Sequence, residues 1–322
     1  MAEPGSAAVP IVFGEALVDA FADALVPGGA PFNVACHLAA LGLRPLLITR
    51  LGADDGGRLL EATAQRCGLS LRGAQRERHT ARVEVRESAA GHVFEIPPAQ
   101  AFDRIEAIPA VQATAGIGEP RWLYFGTLAL RGETSRHALA ALRASAPHRA
   151  FVDLNWREAG PPPALIMDLL HDIEVLKLSD AELLRVLDWL GLPAVRGVPQ
   201  PGERQAAIGS LCTRLGVRQL LVSHGADGAA AWDAQGHCTA RAAAPPLPRL
   251  VDTVGAGDAF SAMLLAGLLR GRAPTAMLGQ AVAFASLSCG WRGALPEQRD
   301  LYIPWRQLLD IDPMPTSTPT PS

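Results

Sequence analysis

Lysine is almost absent from this 322-residue chain: Lys177 is the only one, and its other basic side chains are arginines. A Walker A loop requires Gly-Lys-Ser/Thr, and a protein kinase requires a strand lysine beside a glycine-rich loop. Neither can be assembled here. The eight histidines include no His-Glu-x-x-His, and Gly-x-Ser-x-Gly does not occur, which sets aside zinc proteases and serine hydrolases. Net charge is only -3, so nothing argues for nucleic acid or an anionic membrane surface as partner. No apolar run approaches about 20 residues without a charge, Gly or Pro. The N-terminus also lacks a basic region followed by an apolar segment, so neither a membrane span nor a leader is expected. The five cysteines (Cys36, Cys67, Cys212, Cys238, Cys289) are scattered, odd in number and form no Cys-x-x-Cys pair. They fit reduced, mostly buried thiols and a cytoplasmic protein.

With 49% hydrophobic residues the chain can bury a substantial core. Residues 9–13 read as a short buried strand that ends at Gly14-Glu15 and is followed by Leu17-Val18-Asp19. A second strand over 45–51 leads to Gly52-Ala53-Asp54-Asp55-Gly56-Gly57 and a helix to about residue 66. From 122 onward strands and helices alternate: 122–125, 133–145, 151–154, 164–171, 175–178, 180–190, then a helix over 204–215. Strands follow near 219–222 and 229–232. Alternation of this kind specifies a parallel sheet with helices on both faces. Between 81 and 96 the pattern switches to period two around Gly91, as a hairpin with one covered face would. Such a hairpin is out of place in a parallel sheet, so it is expected outside that layer as a lid over about 79–98, with an edge extension of the main sheet as the alternative. The Pro/Ser/Thr tail, 312–322, is expected to be disordered.

The segment Val251-Asp252-Thr253-Val254-Gly255-Ala256-Gly257-Asp258-Ala259-Phe260 places three small residues before a long apolar helical run, 259–269. A tight turn at a helix N-terminus exposes N–H groups that have no partner within the helix, and the macrodipole adds positive potential there. An anion is the expected ligand. Asp258 could cap that helix, or take a proton from a hydroxyl held beside the anion. Upstream, Gly28-Gly29-Ala30-Pro31-Phe32-Asn33-Val34-Ala35 reads as a Gly-Gly turn into a helix that starts near Pro31 and stops at Gly42.

Residues 252–260 resemble the C-terminal signature of the ribokinase-like (PfkB) family of small-molecule kinases. Residues 28–35 resemble its N-terminal signature in the form found in fructokinases. The resemblance runs over roughly residues 9–295. It implies a ribokinase-like three-layer α/β/α sandwich, with a mostly parallel central sheet and a small β-strand lid, as one domain over 1–311. The implied reaction moves the γ-phosphoryl group of ATP to a hydroxyl of a ketose, fructose first, with Mg²⁺ as cofactor. By position, the family assigns Asp258 as catalytic base and the backbone of Gly255, Ala256, Gly257 and Asp258 as an anion hole. Asp19, Gly29 and Asn33 would hold the sugar.

Other loops match less closely. Asp153-Leu154-Asn155-Trp156-Arg157 is similar to the fructokinase Asp-x-Asn-x-Arg segment, which puts Arg157 near the moving phosphate; an ordinary surface arginine is the alternative. Lys177-Leu178-Ser179-Asp180-Ala181-Glu182 falls where the family serves the nucleotide phosphates and, through water, magnesium, with Ser179 departing from the usual Asn. Ser-x-x-Glu is equally a capping box. Ser223, Gly225 and Gly228 fall on the family's nucleotide-binding turn. The positions of Asp252 and Val254 are compatible with a monovalent cation, and dependence on K⁺ stays open. The lid implies a homodimer. Competing readings are a 2-keto-3-deoxygluconate or nucleoside kinase of the same fold, and a sugar-sensing binding protein without catalysis. A Rossmann dehydrogenase is disfavoured, because the glycines lie near the end of the chain and Phe260 takes the third glycine's place.

Overall fold

The computed structural model describes residues 9–88, 91–119, 121–192 and 201–311. The tail and most of the loop after residue 192 lie outside the described residues. The strands are β1 (Ile11–Phe13), β2 (Leu17–Ala20), β3 (Leu25–Gly28), β4 (Leu46–Gly52), β5 (Ala74–Glu77), β6 (Ala81–Ser88) and β7 (Gly91–Glu95). Then come β8 (Arg121–Phe125), β9 (His148–Asp153), β10 (Val175–Ser179), β11 (Gln219–Ser223), β12 (Ala229–Asp233) and β13 (Cys238–Ala242). Nine of them form one sheet in the order β13-β12-β11-β10-β9-β8-β1-β4-β5. Pairing is parallel from β5 through β11, and only the β11–β12 and β12–β13 pairs are antiparallel.

Successive side chains on a strand point to opposite faces, and each face has its own core. Val12, Tyr124, Phe151 and Leu221 pack with the helices Ala30–Ala40, Asp55–Cys67, Ala256–Leu269 and Pro274–Ser288. Phe13, Leu123, Val152 and Leu220 pack with Glu133–Ser145, Pro163–Leu169, Asp180–Trp189 and Pro201–Leu215. Both faces of the strands are therefore dry, which is why their sequences read as apolar runs instead of alternating. The helix Ala256–Leu269 is buried from Ala259 to Leu268, as its charge-free sequence predicts.

The lid is larger than its hairpin. It is a four-stranded sheet, β3-β2-β6-β7, in which β6 and β7 form the antiparallel hairpin and β2 pairs in parallel with β6. Half of its strands come from residues 17–28, which no local sequence pattern assigns to it. A four-residue strand carries too short a pattern, and its pairing with β6 is non-local. Leu17, Ala81 and Val83 bury the lid's inner face against Phe102, Leu128 and Ala129. Three residues, Gly14 to Ala16, separate the main sheet from the lid.

Candidate active site

The parallel strands β1, β8, β9, β10 and β11 all end at one edge of the sheet, and the loops leaving them carry most of the polar groups singled out above. This is where open α/β sheets place ligands. The helix Ala256–Leu269 begins beside them. Its N-cap is Gly255, at φ 79, where an added Cβ would stand 2.5 Å from Ala294 Cα, so both conformation and space demand glycine. Asp258 is the third helical residue and does not cap the helix. Instead its Oδ2 accepts a hydrogen bond of 2.8 Å from Nδ2 of Asn33, itself buried on the helix Ala30–Ala40.

Asp258 is half-buried as a residue, yet its carboxyl is desolvated enough that burial raises its pKa to about 7. The Asn33 hydrogen bond opposes that rise, Asp153 adds to it, and Lys177 and Arg157 oppose it. A carboxyl near neutrality is matched to accepting a proton from an alcohol. Beneath the turn, Nζ of Lys177 donates to Asp153 Oδ2 at 2.8 Å, and Ser261 Oγ donates to the same oxygen at 2.9 Å. Burial pulls the ammonium down, and the Asp153 carboxylate more than offsets it, leaving Lys177 above its ordinary value. The ammonium lies 3.0 Å from where a Cβ on Gly257 would be, so it underlies the exposed amides.

Asp19 enters from the lid strand β2. Its carboxyl is raised to about 6 by burial and lowered by Arg157. Its Oδ2 is 3.0 Å from the position of a Cβ on Gly28, and a Cβ on Gly29, at φ 102, would meet the Glu15 carbonyl oxygen at 2.6 Å. The two glycines are what let lid, loop and helix meet here. Arg157 is exposed and aims its charge at Glu15, Asp19 and Asp258 together. Its loop turns through Asn155 at φ 40, a left-handed conformation that asparagine tolerates better than most residues.

Ser179 and Glu182 form the capping box of the helix Asp180–Trp189. Glu182 Oε2 accepts from Ser179 N at 2.7 Å, while Oε1 accepts from Trp156 N at 2.7 Å, tying that helix to the Arg157 loop. Ser179→Ala is expected to cost about 1 kcal/mol in urea denaturation, the usual worth of an N-cap. A rise in KM for ATP without that loss would assign the hydroxyl to the nucleotide instead. Mg²⁺ commonly keeps several waters and takes few protein oxygens besides phosphate. Glu182, both of whose oxygens already serve backbone N–H groups, fits contact through water. Among the described residues no group of three His, Cys, Asp or Glu gathers as for an all-protein metal site.

After β11, His224 N donates to Gly228 O at 2.8 Å, closing a tight turn that contains Gly225 at φ 57 and begins at Ser223. Asp252 bridges two loops: Oδ1 accepts from Val254 N at 3.0 Å and Oδ2 from Gly293 N at 2.9 Å. Val254 is exposed. One buried acid was not singled out from the sequence. Glu15, 2% exposed, sits one residue beyond β1, after Gly14, with its Oε2 free of any partner. The only signal was an acid following Gly14 at the carboxyl end of a strand.

Known proteins resemble this chain in sequence and in fold. A sequence model described as "pfkB family carbohydrate kinase" matches residues 7–299. A fructokinase of Salmonella typhimurium is 32% identical over 321 residues, covering 90% of this chain and 97% of that protein. A fructokinase of Klebsiella pneumoniae is 30% identical with the same coverage of both chains. Among solved structures, the Vibrio cholerae O395 fructokinase bound to fructose, ADP and calcium ion superposes with TM-score 0.74 at 22% identity, covering 92% of this chain and 99% of that one. The Salmonella enterica aminoimidazole riboside kinase, complexed with aminoimidazole riboside and an ATP analog, gives 0.71 at 24%, covering 92% and 99%. The structural matches establish a shared ribokinase-like fold.

Proposed function

Since the chain belongs to the pfkB family of carbohydrate kinases, we propose that it transfers the γ-phosphoryl group of ATP to a hydroxyl of fructose. The observation that carries the reading is the Asp258 carboxylate, held by Asn33 at the bare N-terminus of a helix and within the field of the same arginine as Asp19. Fructokinases recur among the relatives that span nearly the whole chain, which favours fructose over ketodeoxygluconate or a nucleoside. Retention of Asp258, Gly255 and Gly257 argues against a sugar sensor that has lost its chemistry.

In this reading Asp19, Gly29 and Asn33 bind the sugar and aim one hydroxyl at Asp258. Asp258 accepts its proton as the oxygen attacks phosphorus. Charge gathering on the moving phosphoryl group meets the N–H groups of residues 255–258, the Lys177 ammonium below and Arg157 across the opening. Ser179, Ser223, Gly225 and Gly228 would flank the nucleotide, and Glu182 would hold Mg²⁺ through water, the ion supplying neutralisation of phosphate charge. Asp252 and the Val254 carbonyl would hold a K⁺ ion. We further propose a single kinase domain working in the cytoplasm, as a homodimer joined through the lid's outer strands β3 and β7.

ADP formation measured on fructose, 2-keto-3-deoxygluconate, ribose and adenosine tests the assignment. Fructose is expected to give a kcat/KM at least about tenfold above the others, a margin set by one or two well-placed hydroxyl contacts. A different leading substrate would overturn the choice of fructose, and no ATP-dependent turnover on any would overturn the kinase reading. KCl against NaCl in the same assay tests the cation, and sedimentation velocity tests the dimer.

A further inference from the structure

Glu15 has no part in the scheme above, yet the fold has built it into the site. It is the middle residue of the three-residue link between β1 and β2, with Gly14 on the sheet side and Ala16 on the lid side. Its carbonyl oxygen is what excludes a side chain at Gly29. Its carboxyl is buried, with its own N–H and that of Ala129 as hydrogen-bond donors to it, while Oε2 has no partner. The charged and titratable groups around it come from each neighbouring element. Asp258 faces it from the helix Ala256–Leu269 and Arg157 from the loop after β9. Tyr124, whose phenol is itself pushed up by burial and by these acids, faces it from β8. Asp19, from β2, shares the field of Arg157.

We propose that Glu15 is a positioning acid of the phosphoryl-transfer site, neutral during turnover, whose ionisation switches the reaction off. The inference rests on the kinase reading. A carboxylate with a free, water-excluded oxygen is costly, whereas a carboxylic acid is not. Burial raises Glu15 to about 7, its own N–H opposes, and Asp258 adds to the rise. Two acids in one field do not both ionise readily, and the Asn33 donor favours the charge on Asp258 while Glu15 Oε2 has none, so after the pair's first ionisation the remaining proton sits on Glu15. When Glu15 finally loses its proton to solvent, a second negative charge stands beside Asp258, draws on Arg157 and repels the incoming phosphates.

The test is kcat/KM for fructose against pH, at fixed saturating Mg²⁺, in the full-length enzyme. The wild type is expected to show a bell, with an acid limb from the pair's first ionisation and an alkaline decline above about pH 7, approaching tenfold per pH unit. Glu15→Gln keeps the shape and cannot ionise, so its ratio of kcat/KM at pH 9 to that at pH 7 should exceed the wild-type ratio by at least tenfold. Superimposable profiles would overturn the proposal, as would a folded Glu15→Gln enzyme inactive at every pH. If Glu15→Gln does not fold, a wild-type profile that is flat from pH 7 to 9 overturns it. Absence of fructose-dependent ADP formation in the wild type would instead remove the kinase reading itself.

Discussion

Asp258→Asn is expected to lower kcat about a thousandfold, in the middle of the range for loss of a general base, while fructose still binds. The change is isosteric, and an asparagine carbonyl can still accept the 2.8 Å hydrogen bond from Asn33. What disappears is an oxygen able to take the alcohol's proton. Stopped turnover with KM for fructose within about threefold is the pattern of a group that acts in the transition state and not in ground-state binding. Isothermal titration with fructose checks the binding half and an ADP-coupled assay the turnover half. Because burial lifts the Asp258 carboxyl to about 7, the wild-type base form is lost as pH falls below neutrality. The residual rate of Asp258→Asn should lack that acid limb. Turnover near the wild-type level would reject Asp258 as the base.

Lys177→Met carries the largest expected loss of stability, about 3–5 kcal/mol, the usual result of stranding one member of a buried ion pair. Lys177 is 7% exposed and Asp153 1%, so Asp153 would keep only Ser261 as a side-chain donor in a dry interior. Urea denaturation measures the loss. The double variant Lys177→Met with Asp153→Leu removes both charges and should recover most of the stability, because the penalty lies in the stranded charge more than in the pair's net worth. It should not recover turnover, since the ammonium beneath Gly257 is gone. A single variant losing under about 1 kcal/mol would show that the pair is not the buried anchor its geometry indicates.

The layers of this fold were legible because periodicity is a local property. Strands whose two faces are both covered read as apolar runs, and the helices between them repeat at 3.6. The lid was only half legible. β6 and β7 announce themselves by alternation around Gly91, whereas β2 and β3 are four residues each and depend on partners more than 50 residues away or on a turn with no distinctive residue. β13 was missed because Cys238–Ala242 is an exposed edge with no buried face to write a pattern. At the site, Asn33 and Asp258 from the two dense motifs meet in a hydrogen bond, as the family resemblance implies. Glu15 could not be found that way. Its interest comes from an oxygen without a partner and from neighbours on three other elements, and neither is written near residue 15. Lys177 shows the opposite case: the resemblance places its segment on the nucleotide phosphates, whereas its buried ion pair with Asp153 is written in no local pattern.

The short link from β1 into β2, with the Gly28-Gly29 turn at the other end of the same excursion, means that this cover has no independent mounting. Two of its attachment points, Glu15 and Gly29, touch each other, and Asp19 rides on the strand between them. Shifting the roof therefore shifts the floor of the proposed sugar site, so recognition and enclosure cannot be altered separately by transplanting the hairpin alone. A chimera that exchanged 81–95 with a relative of different substrate preference would inherit a new ceiling over old anchors, whereas moving 14–29 along with it would carry the whole lid and Asp19 together, leaving Asn33 and Asp258 in place.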